Sequence, residues 1–192
     1  MTQVAVVYHS GYGHTKKQAE AVHAGAAGVA GVKATLIAIN AEGDITEADW
    51  ASVNGADAIL FGSPTYMGGA SWQFKKFADA SSKQWFSMNW KDKIAGGFTN
   101  SASLNGDKHS TLQYFVTLAM QHGMVWVGTG MMPANSSSAQ RNDLNRMGSS
   151  IGAMAQSDSD VGPDVAPPQG DLATAASYGA RVAESAKRWA KA

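Results

Sequence analysis

Residues 4–15, which read Val-Ala-Val-Val-Tyr-His-Ser-Gly-Tyr-Gly-His-Thr, decide the fold of this chain. An apolar run leads directly into a turn rich in glycine and hydroxyl groups, and the residues after it favour a helix. A buried parallel strand that ends at a helix N-terminus presents free backbone N–H groups and a partial positive charge, and both attract phosphate. The stretch therefore predicts a phosphate-binding loop between a strand and a helix.

The pattern of this loop narrows the kind of phosphate site. It contains no Gly-x-x-x-x-Gly-Lys, which excludes a Walker loop, and no Gly-x-Gly-x-x-Gly, which disfavours a Rossmann dinucleotide turn. What remains is Ser-x-x-Gly-x-Thr, formed by Ser10, Gly13 and Thr15. This pattern resembles the phosphate loop of flavodoxin-type domains that bind FMN.

Composition excludes several classes of function. The chain has 192 residues, of which 44% are apolar, so we expect one domain over residues 1–192. The chain contains no cysteine. Disulfides, thiolate catalysis, zinc–cysteine sites and iron–sulfur clusters are excluded, and redox chemistry would need a bound cofactor. Fifteen basic residues balance fifteen acidic ones, and no basic cluster predicts nucleic-acid binding.

Localisation and metal binding are predicted from what the sequence lacks. There is no signal-like N-terminus and no apolar run of membrane-spanning length, so we expect a cytoplasmic protein without membrane insertion. The five histidines are scattered, which predicts no metal site. Near the C-terminus, four basic side chains are interpreted as a solvated helix face: Arg181, Lys187, Arg188 and Lys191.

Strands and helices alternate along the chain. Apolar runs predict strands at residues 4–8, 33–39, 57–62, 93–99 and 124–128, and helical patterns lie at residues 15–30, 46–53, 70–80, 109–122 and 171–189. Thr46 and Asp171 are predicted helix caps. The segment 129–170 is predicted to be a functional or interface loop with a short extended piece at residues 152–156. Five strand–helix alternations predict an α/β three-layer sandwich around a parallel sheet.

Ligands of such sheets bind at the carboxyl ends of the strands, where strand order reverses. The loops after the first, third and fourth predicted strands are therefore the informative ones. Those after the third and fourth strands, residues 62–69 and 99–106, are small, polar and glycine-bearing. We expect the three loops to meet at one edge of the sheet.

Three segments in order carry a family resemblance: the loop at residues 9–15, Phe-Gly-Ser-Pro-Thr-Tyr-Met-Gly at residues 61–68, and Leu-Ala-Met-Gln-His-Gly-Met-Val at residues 118–125. Together they resemble the WrbA family of flavodoxin-like NAD(P)H:quinone oxidoreductases. The resemblance implies a doubly wound five-stranded sheet of order 2-1-3-4-5 and noncovalently bound FMN. It also implies two-electron transfer from NAD(P)H to a quinone by a ping-pong mechanism, and a homo-oligomer, usually a tetramer, whose sites a neighbouring subunit completes.

The resemblance also implies roles for individual residues. The FMN phosphate would be held by Ser10, Tyr12, Gly13, His14 and Thr15. The flavin ring would be lined by Pro64, Thr65, Tyr66, Met67 and Gly68. The ribityl chain and ring would be bordered by Thr99, Asn100, Ser101, Asn105 and Gly106. His122 would reach the cofactor from the end of the fourth helix and is the candidate general acid, with water as the alternative. Apart from the resemblance, Trp85, Phe86 and Trp90 lie in a predicted loop near the ring end of the site, where exposed aromatic side chains need a neighbour or a substrate to cover them, so they are candidates for a lid over the quinone.

The chain departs from the family pattern at the ring loop. Members commonly carry arginine and phenylalanine after the Pro-Thr pair, whereas this chain has Tyr66 and Met67. The departure removes a cation that would stabilise the reduced flavin. The loop at residues 99–106 is less glycine-rich than usual, and the connection between the second and third strands lacks an insertion that many members carry.

Three other functions are compatible with the same motifs. The first is a flavodoxin-type electron carrier, or an FMN-binding module without turnover, although carriers that dock to basic partners generally need an acidic face and this chain is neutral overall. The second is an FMN reductase that releases its flavin. The third is a non-enzymatic partner-binding protein, which would bind no flavin.

Overall fold

The computed structural model of the chain describes residues 1–190, so Lys191 of the predicted basic face lies outside the described residues. The strands are β1 (Thr2–Tyr8), β2 (Val32–Ala38), β3 (Ala58–Tyr66), β4 (Gly69–Ala70), β5 (Ile94–Ser101), β6 (Val125–Trp126) and β7 (Ala153–Gln156). The helices are α1 (His14–Ala27), α2 (Glu47–Gly55), α3 (Trp72–Ala80), α4 (Ser82–Phe86), α5 (Lys108–Gln121) and α6 (Gln169–Trp189). The short helix α4 was not predicted.

The sheet confirms the predicted order of positions but not the strand count. Parallel strands run β2-β1-β3-β5, and β4 pairs antiparallel with the end of β3. The fifth position is filled by two separate segments: β6 pairs with the start of β5, and β7 pairs with its end. The predicted strand at residues 124–128 is therefore shortened to two residues. The predicted extended piece at residues 152–156 becomes a strand of the sheet.

Two hydrophobic layers enclose the sheet, which confirms the three-layer architecture. Alternate residues of β1 point to opposite faces, so Val6 packs with α1 and α6 while Val7 packs with α2, α3 and α5. The aromatic side chains Phe61, Phe74 and Phe115 fill the second layer, with the rings of Phe74 and Phe115 centred 4.6 Å apart. Burial on both faces explains why β1 and β3 read as uninterrupted apolar runs.

Helices α1 and α6 approach each other closely because both carry glycine at the contact. A Cβ atom on Gly25 would lie 1.9 Å from the Ala176 carbonyl oxygen, and one on Gly179 would lie 2.0 Å from that of Val22. Any larger residue would push the helices apart. Gly25 therefore serves packing, although glycine inside a helix costs stability. Helix α1 ends at Ala27, short of the predicted residue 30.

One predicted helix cap is confirmed and the other is wrong. Thr46 caps α2 in a reciprocal capping box with Asp49. Helix α6, however, begins after Pro168, and Asp171 lies inside its first turn. The Asp171 carboxylate is buried and accepts two hydrogen bonds of 2.7 Å from the Arg141 guanidinium. A buried carboxylate needs such a partner, so Asp171 binds the segment between β6 and β7 to α6.

Candidate functional site

A cleft of about 640 Å³ opens at the carboxyl edge of the sheet, where the three predicted loops meet. Its volume lies within the usual range for small-molecule and cofactor sites. The phosphate loop, the end of β3, the end of β5 and the segment after β7 supply its walls, which are lined by Tyr12, His14, Thr15, Pro64, Thr65, Tyr66, Asn100, Ser101, Ala102, Ser157, Asp158, Ser159, Val161, Gly162 and Pro163.

The phosphate loop is organised by the Ser10 hydroxyl. Its oxygen accepts hydrogen bonds of 3.1 Å from the backbone N–H groups of Gly13 and Lys16, so its proton remains available to an external acceptor. Gly13 precedes α1 with a φ of 92°, a left-handed conformation that favours glycine. The first turn of α1 carries no acidic residue. The loop therefore offers donors and a helix dipole to an anion, without a competing carboxylate.

Two tyrosines connect the phosphate loop to the end of β3. The Tyr12 ring packs edge-on against Tyr66 with centroids 6.2 Å apart. The Gly11 backbone lies against the Tyr66 hydroxyl, because a Cβ at position 11 would lie 2.6 Å from the hydroxyl oxygen and would displace the Tyr66 side chain. Burial, and then the neighbouring Tyr12, raises the pKa of Tyr66. Tyr66 is therefore a neutral phenol at the edge of the cleft.

A chain of buried hydroxyls fixes the strand ends behind the cleft. Thr99 Oγ1 donates to the Ser63 carbonyl oxygen at 2.7 Å, so it must accept from Thr65 Oγ1 at 2.8 Å. Thr65 in turn accepts from Thr111 Oγ1 of α5, also at 2.8 Å. Each hydroxyl has one proton, so the direction of the first bond sets the others. Thr65 lines the cleft, whereas Thr99 holds it in place from behind.

The segment after β7, residues 157–163, forms the fourth wall, and the sequence assigned it no site residue. His14 Nε2 donates to the Val161 carbonyl oxygen at 3.0 Å, and Pro163 covers Gly13 so closely that a Cβ there would lie 2.8 Å from its ring. On the other side, Ser157 Oγ donates to Asn100 Oδ1 at 2.9 Å. The predicted extended piece at residues 152–156 was the available signal, because a parallel strand there ends at the same edge.

Some of the predicted site residues do not line the cleft. Ser10 and Gly13 lie beneath it in the phosphate loop, and Thr99 is fully buried behind it. Met67 and Gly68 form an outward turn between β3 and β4, with the Met67 side chain fully exposed. The loop before α5 contains Asn105 and Gly106, and Asn105 faces a separate depression with Arg141 and Arg146.

The predicted contact of His122 with the cofactor is not made within one chain, and a contact with the cofactor of a neighbouring subunit stays a prediction. Helix α5 starts at the carboxyl edge and runs back, so His122 lies at the amino edge, where the next residue, Gly123, accepts a hydrogen bond from Asp92 just before β5. The His122 ring is buried, stacks on Trp90 with centroids 4.3 Å apart, and lies 2.9 Å from Ser81 Oγ through Nε2. Burial lowers the pKa of His122, so it is a neutral core residue.

The predicted aromatic lid is wrong for the same reason. Trp90 is fully buried beside His122, and Trp85 and Phe86 belong to α4, which follows α3 at the amino edge. The Trp85 and Phe86 rings contact each other with centroids 5.0 Å apart and are both exposed. These side chains cannot cover the cleft of their own chain.

The residues present fit FMN. An anion-binding loop with hydroxyl and backbone donors adjoins a cleft whose mouth carries tyrosine rings, as a phosphate joined to a flat ring system requires. The sequence model of the family described as NADPH-dependent FMN reductase matches residues 10–138. The chain is a WrbA-like member of the flavodoxin-fold family. Flavodoxin FldP from Pseudomonas aeruginosa is 54% identical over 183 residues, which are 95% of this chain and 96% of that protein.

Two further comparisons support this WrbA-like assignment. The crystal structure of a "flavodoxin, WrbA-like protein" from Agrobacterium tumefaciens is 54% identical, with a TM-score of 0.78 over 98% of this chain and 99% of that one. An NAD(P)H dehydrogenase (quinone) from Geobacter sulfurreducens is 32% identical over 96% of this chain and 98% of that protein. The protein is thus an FMN-binding oxidoreductase of flavodoxin fold.

Residues 1–190 contain neither a membrane-spanning helix nor a cluster of metal ligands. No helix in this range is long and apolar enough to cross a membrane. No group of three or more histidine, aspartate or glutamate side chains in the same range could hold a metal ion.

Proposed function

We propose that the protein transfers two electrons from NADH or NADPH to a quinone, with FMN as the redox group. The observation that carries this proposal is the apolar mouth of the cleft. Tyr12 is 77% exposed, beside the partly exposed Tyr66. Exposed aromatic surface next to a cofactor cleft offers a stacking place for flat molecules such as nicotinamide and quinone rings. The relative named NAD(P)H dehydrogenase (quinone) supports the same activity.

In this proposal the side chains of the protein bind and orient FMN and its substrates. Bound FMN would supply the redox chemistry that passes electrons from NAD(P)H to the quinone in a ping-pong cycle. Ser10, Thr15 and the backbone N–H groups that begin α1 hold the phosphate. Tyr12 and Tyr66 keep the cleft open between the phosphate loop and β3. Because His122 lies at the far edge, the proton for the quinone comes from water.

We also propose that the chain works as a homo-oligomer, a dimer or a tetramer. The exposed Trp85–Phe86 pair at the amino edge supports this, because such a patch is stabilised when a neighbour covers it. Analytical ultracentrifugation of the wild type and of Phe86→Asp tests the assignment. A wild type that sediments as a monomer at micromolar concentration would contradict it.

A second candidate is a one-electron carrier of the flavodoxin type. The relative at 54% identity is named a flavodoxin, and the fourth wall of the cleft carries a local acidic charge on Asp158, Asp160 and Asp164. Residues 157–164 contain no lysine or arginine, so this wall is negative although the whole chain is neutral. An acidic surface beside the flavin would attract a basic redox partner.

Anaerobic spectroscopy separates the two functions. The FMN-loaded protein is mixed with NADH or NADPH and then with benzoquinone, while the visible flavin absorbance is followed. We expect bleaching by one nicotinamide and recovery with one equivalent of quinone. Tyr12→Ala should slow both phases, whereas Lys33→Ala, at an exposed position in β2 near the opposite edge, should leave them unchanged. Protein that is bleached by dithionite but by neither nicotinamide would support the carrier instead.

A further inference from the structure

We propose that Lys108 is a positioning residue for the flavin: its buried ammonium group holds the loop 101–107 and places a positive charge behind that wall of the cleft, which favours reduced over oxidised FMN. The inference requires only that the cleft binds FMN. It therefore applies to a quinone reductase and to an electron carrier alike.

The contacts of Lys108 tie it to the cleft wall. Lys108 is the first residue of α5, and its side chain is fully buried. Its Nζ donates to Ser101 Oγ at 2.8 Å and to the Ser103 carbonyl oxygen at 2.7 Å. Ser101 lines the cleft, and the turn folds so tightly around it that a Cβ on Gly106 would lie 2.1 Å from its hydroxyl oxygen. The ammonium group is thus separated from the cleft by one serine side chain.

The buried charges nearest to Lys108 pair with each other rather than with its ammonium group. Asp171 of α6 and Arg141, from the segment between β6 and β7, are the charged groups whose fields reach the ammonium. They neutralise each other through two hydrogen bonds of 2.7 Å. Burial lowers the pKa of Lys108 to about 8, and the nearby Asp171 partly opposes this effect. At pH 7 the side chain therefore still carries its proton, and it is the uncompensated charge of the group.

The position of Lys108 is unfavourable for helix stability, which argues for a role at the cleft. A cation at the first position of a helix opposes the helix dipole, and lysine is among the residues least often buried. No lysine or arginine is among the described residues that line the cleft, and Asp158 there is acidic. The residues that line the cleft therefore present no lysine or arginine to electrons added to a bound flavin. Lys108 supplies that charge from behind Ser101.

The test separates an electrostatic role from a loop-holding role. The affinity for oxidised FMN and the two-electron midpoint potential are measured for the wild type and for Lys108→Met, Lys108→Arg and Lys91→Met. Lys91 is an exposed lysine beside the amino edge and serves as the matched control. In Lys108→Met the preference for reduced over oxidised FMN should fall about tenfold, which for a two-electron couple lowers the potential by about 30 mV. Lys108→Arg, which keeps the charge, should stay within about threefold of the wild type.

Three outcomes would overturn the inference. If Lys108→Met binds both forms of FMN more weakly by the same factor, the residue only holds the loop. If Lys91→Met shifts the potential as far as Lys108→Met does, the effect is not specific to the wall. Should Lys108→Met fail to bind FMN, the wild type and Lys108→Arg are compared at pH 7 and pH 9.5. Between pH 7 and pH 9.5, the preference for reduced over oxidised FMN should fall about tenfold more in the wild type than in the arginine variant, which keeps its proton. An equal fall in both proteins would refute the charge effect.

Discussion

Replacement of Lys108 by methionine should change how the free energy of unfolding depends on pH. The ammonium group is fully buried, and burial lowers its pKa from 10.5 to about 8 in the folded protein. Between these two values the unfolded chain binds a proton that the folded chain has released, so wild-type stability rises with pH. Below pH 8 both states are protonated, and the folded protein bears the whole cost of the buried charge.

The size of the effect follows from the shift. Each pKa unit corresponds to about 1.4 kcal/mol, so the wild type should gain roughly 2–3 kcal/mol between pH 7 and pH 10 from this group. Lys108→Met lacks the group and should lack this gain. Burial also lowers the pKa of Lys93, but both proteins contain Lys93, so its contribution cancels in the difference.

The assay is urea unfolding of the FMN-free protein at pH 7, 8, 9 and 10, followed by far-UV circular dichroism. We expect the stability difference, Lys108→Met minus wild type, to become more negative by roughly 2–3 kcal/mol across the series. The high pKa values of Tyr114 and Tyr178 keep those groups protonated throughout this range. A constant difference from pH 7 to pH 10 would refute the reasoning, because it would mean that Lys108 has its ordinary pKa in the folded chain.

Three further substitutions test the packing and the site. Gly179→Ala should lower the free energy of unfolding by about 1–3 kcal/mol in urea, because its Cβ would lie 2.0 Å from the Val22 carbonyl oxygen. Gly55→Ala is the control and should lose no stability, because no atom lies within 4 Å of a Cβ at that position. Ser10→Ala should weaken FMN binding about tenfold in a fluorescence titration, since it removes one donor and leaves two N–H groups unpaired; unchanged affinity would contradict the phosphate assignment. His122→Ala should reduce stability by roughly 2 kcal/mol and leave FMN affinity unchanged, because the ring packs on Trp90 at the opposite edge. A tenfold loss of FMN affinity would restore a cofactor role for His122.

The strands along the chain and the phosphate loop could be predicted from local patterns, whereas the order of the strands within the sheet followed from the family resemblance. Val4, Val6 and Val7 form a run that is apolar on both faces, and only a strand covered on both faces by helices buries such a run. The glycine and hydroxyl spacing of residues 10–15 then needs no tertiary information, because strand, loop and helix are contiguous. Thr46 was predictable as a cap for the same reason, since its partner Asp49 is three residues away.

His122 shows where a motif alone misleads. The segment at residues 118–125 is recognisable, but its place depends on the helix before it. Helix α5 has 14 residues and leaves the carboxyl edge, so at 1.5 Å per residue it carries His122 about 21 Å away. Asp171 shows a related limit. Its type and position suit a helix cap, but its carboxylate is used by Arg141, 30 residues earlier, and no local pattern encodes that partner.

The fourth wall of the cleft could not be predicted because it depends on a pairing between distant segments. β6 and β7 share one position beside β5, although 26 residues separate Trp126 from Ala153. Once β7 is known to run parallel to β5, the strand must end at the carboxyl edge, and residues 157–163 must enter the site. The same pairing places Gln156 N within 2.9 Å of the Asp171 carboxylate, which also binds Arg141. The charged side chains of Lys108, Arg141 and Asp171, which are far apart along the chain, therefore meet behind one wall of the cleft. Of these three, only Lys108 is left without a counter-ion.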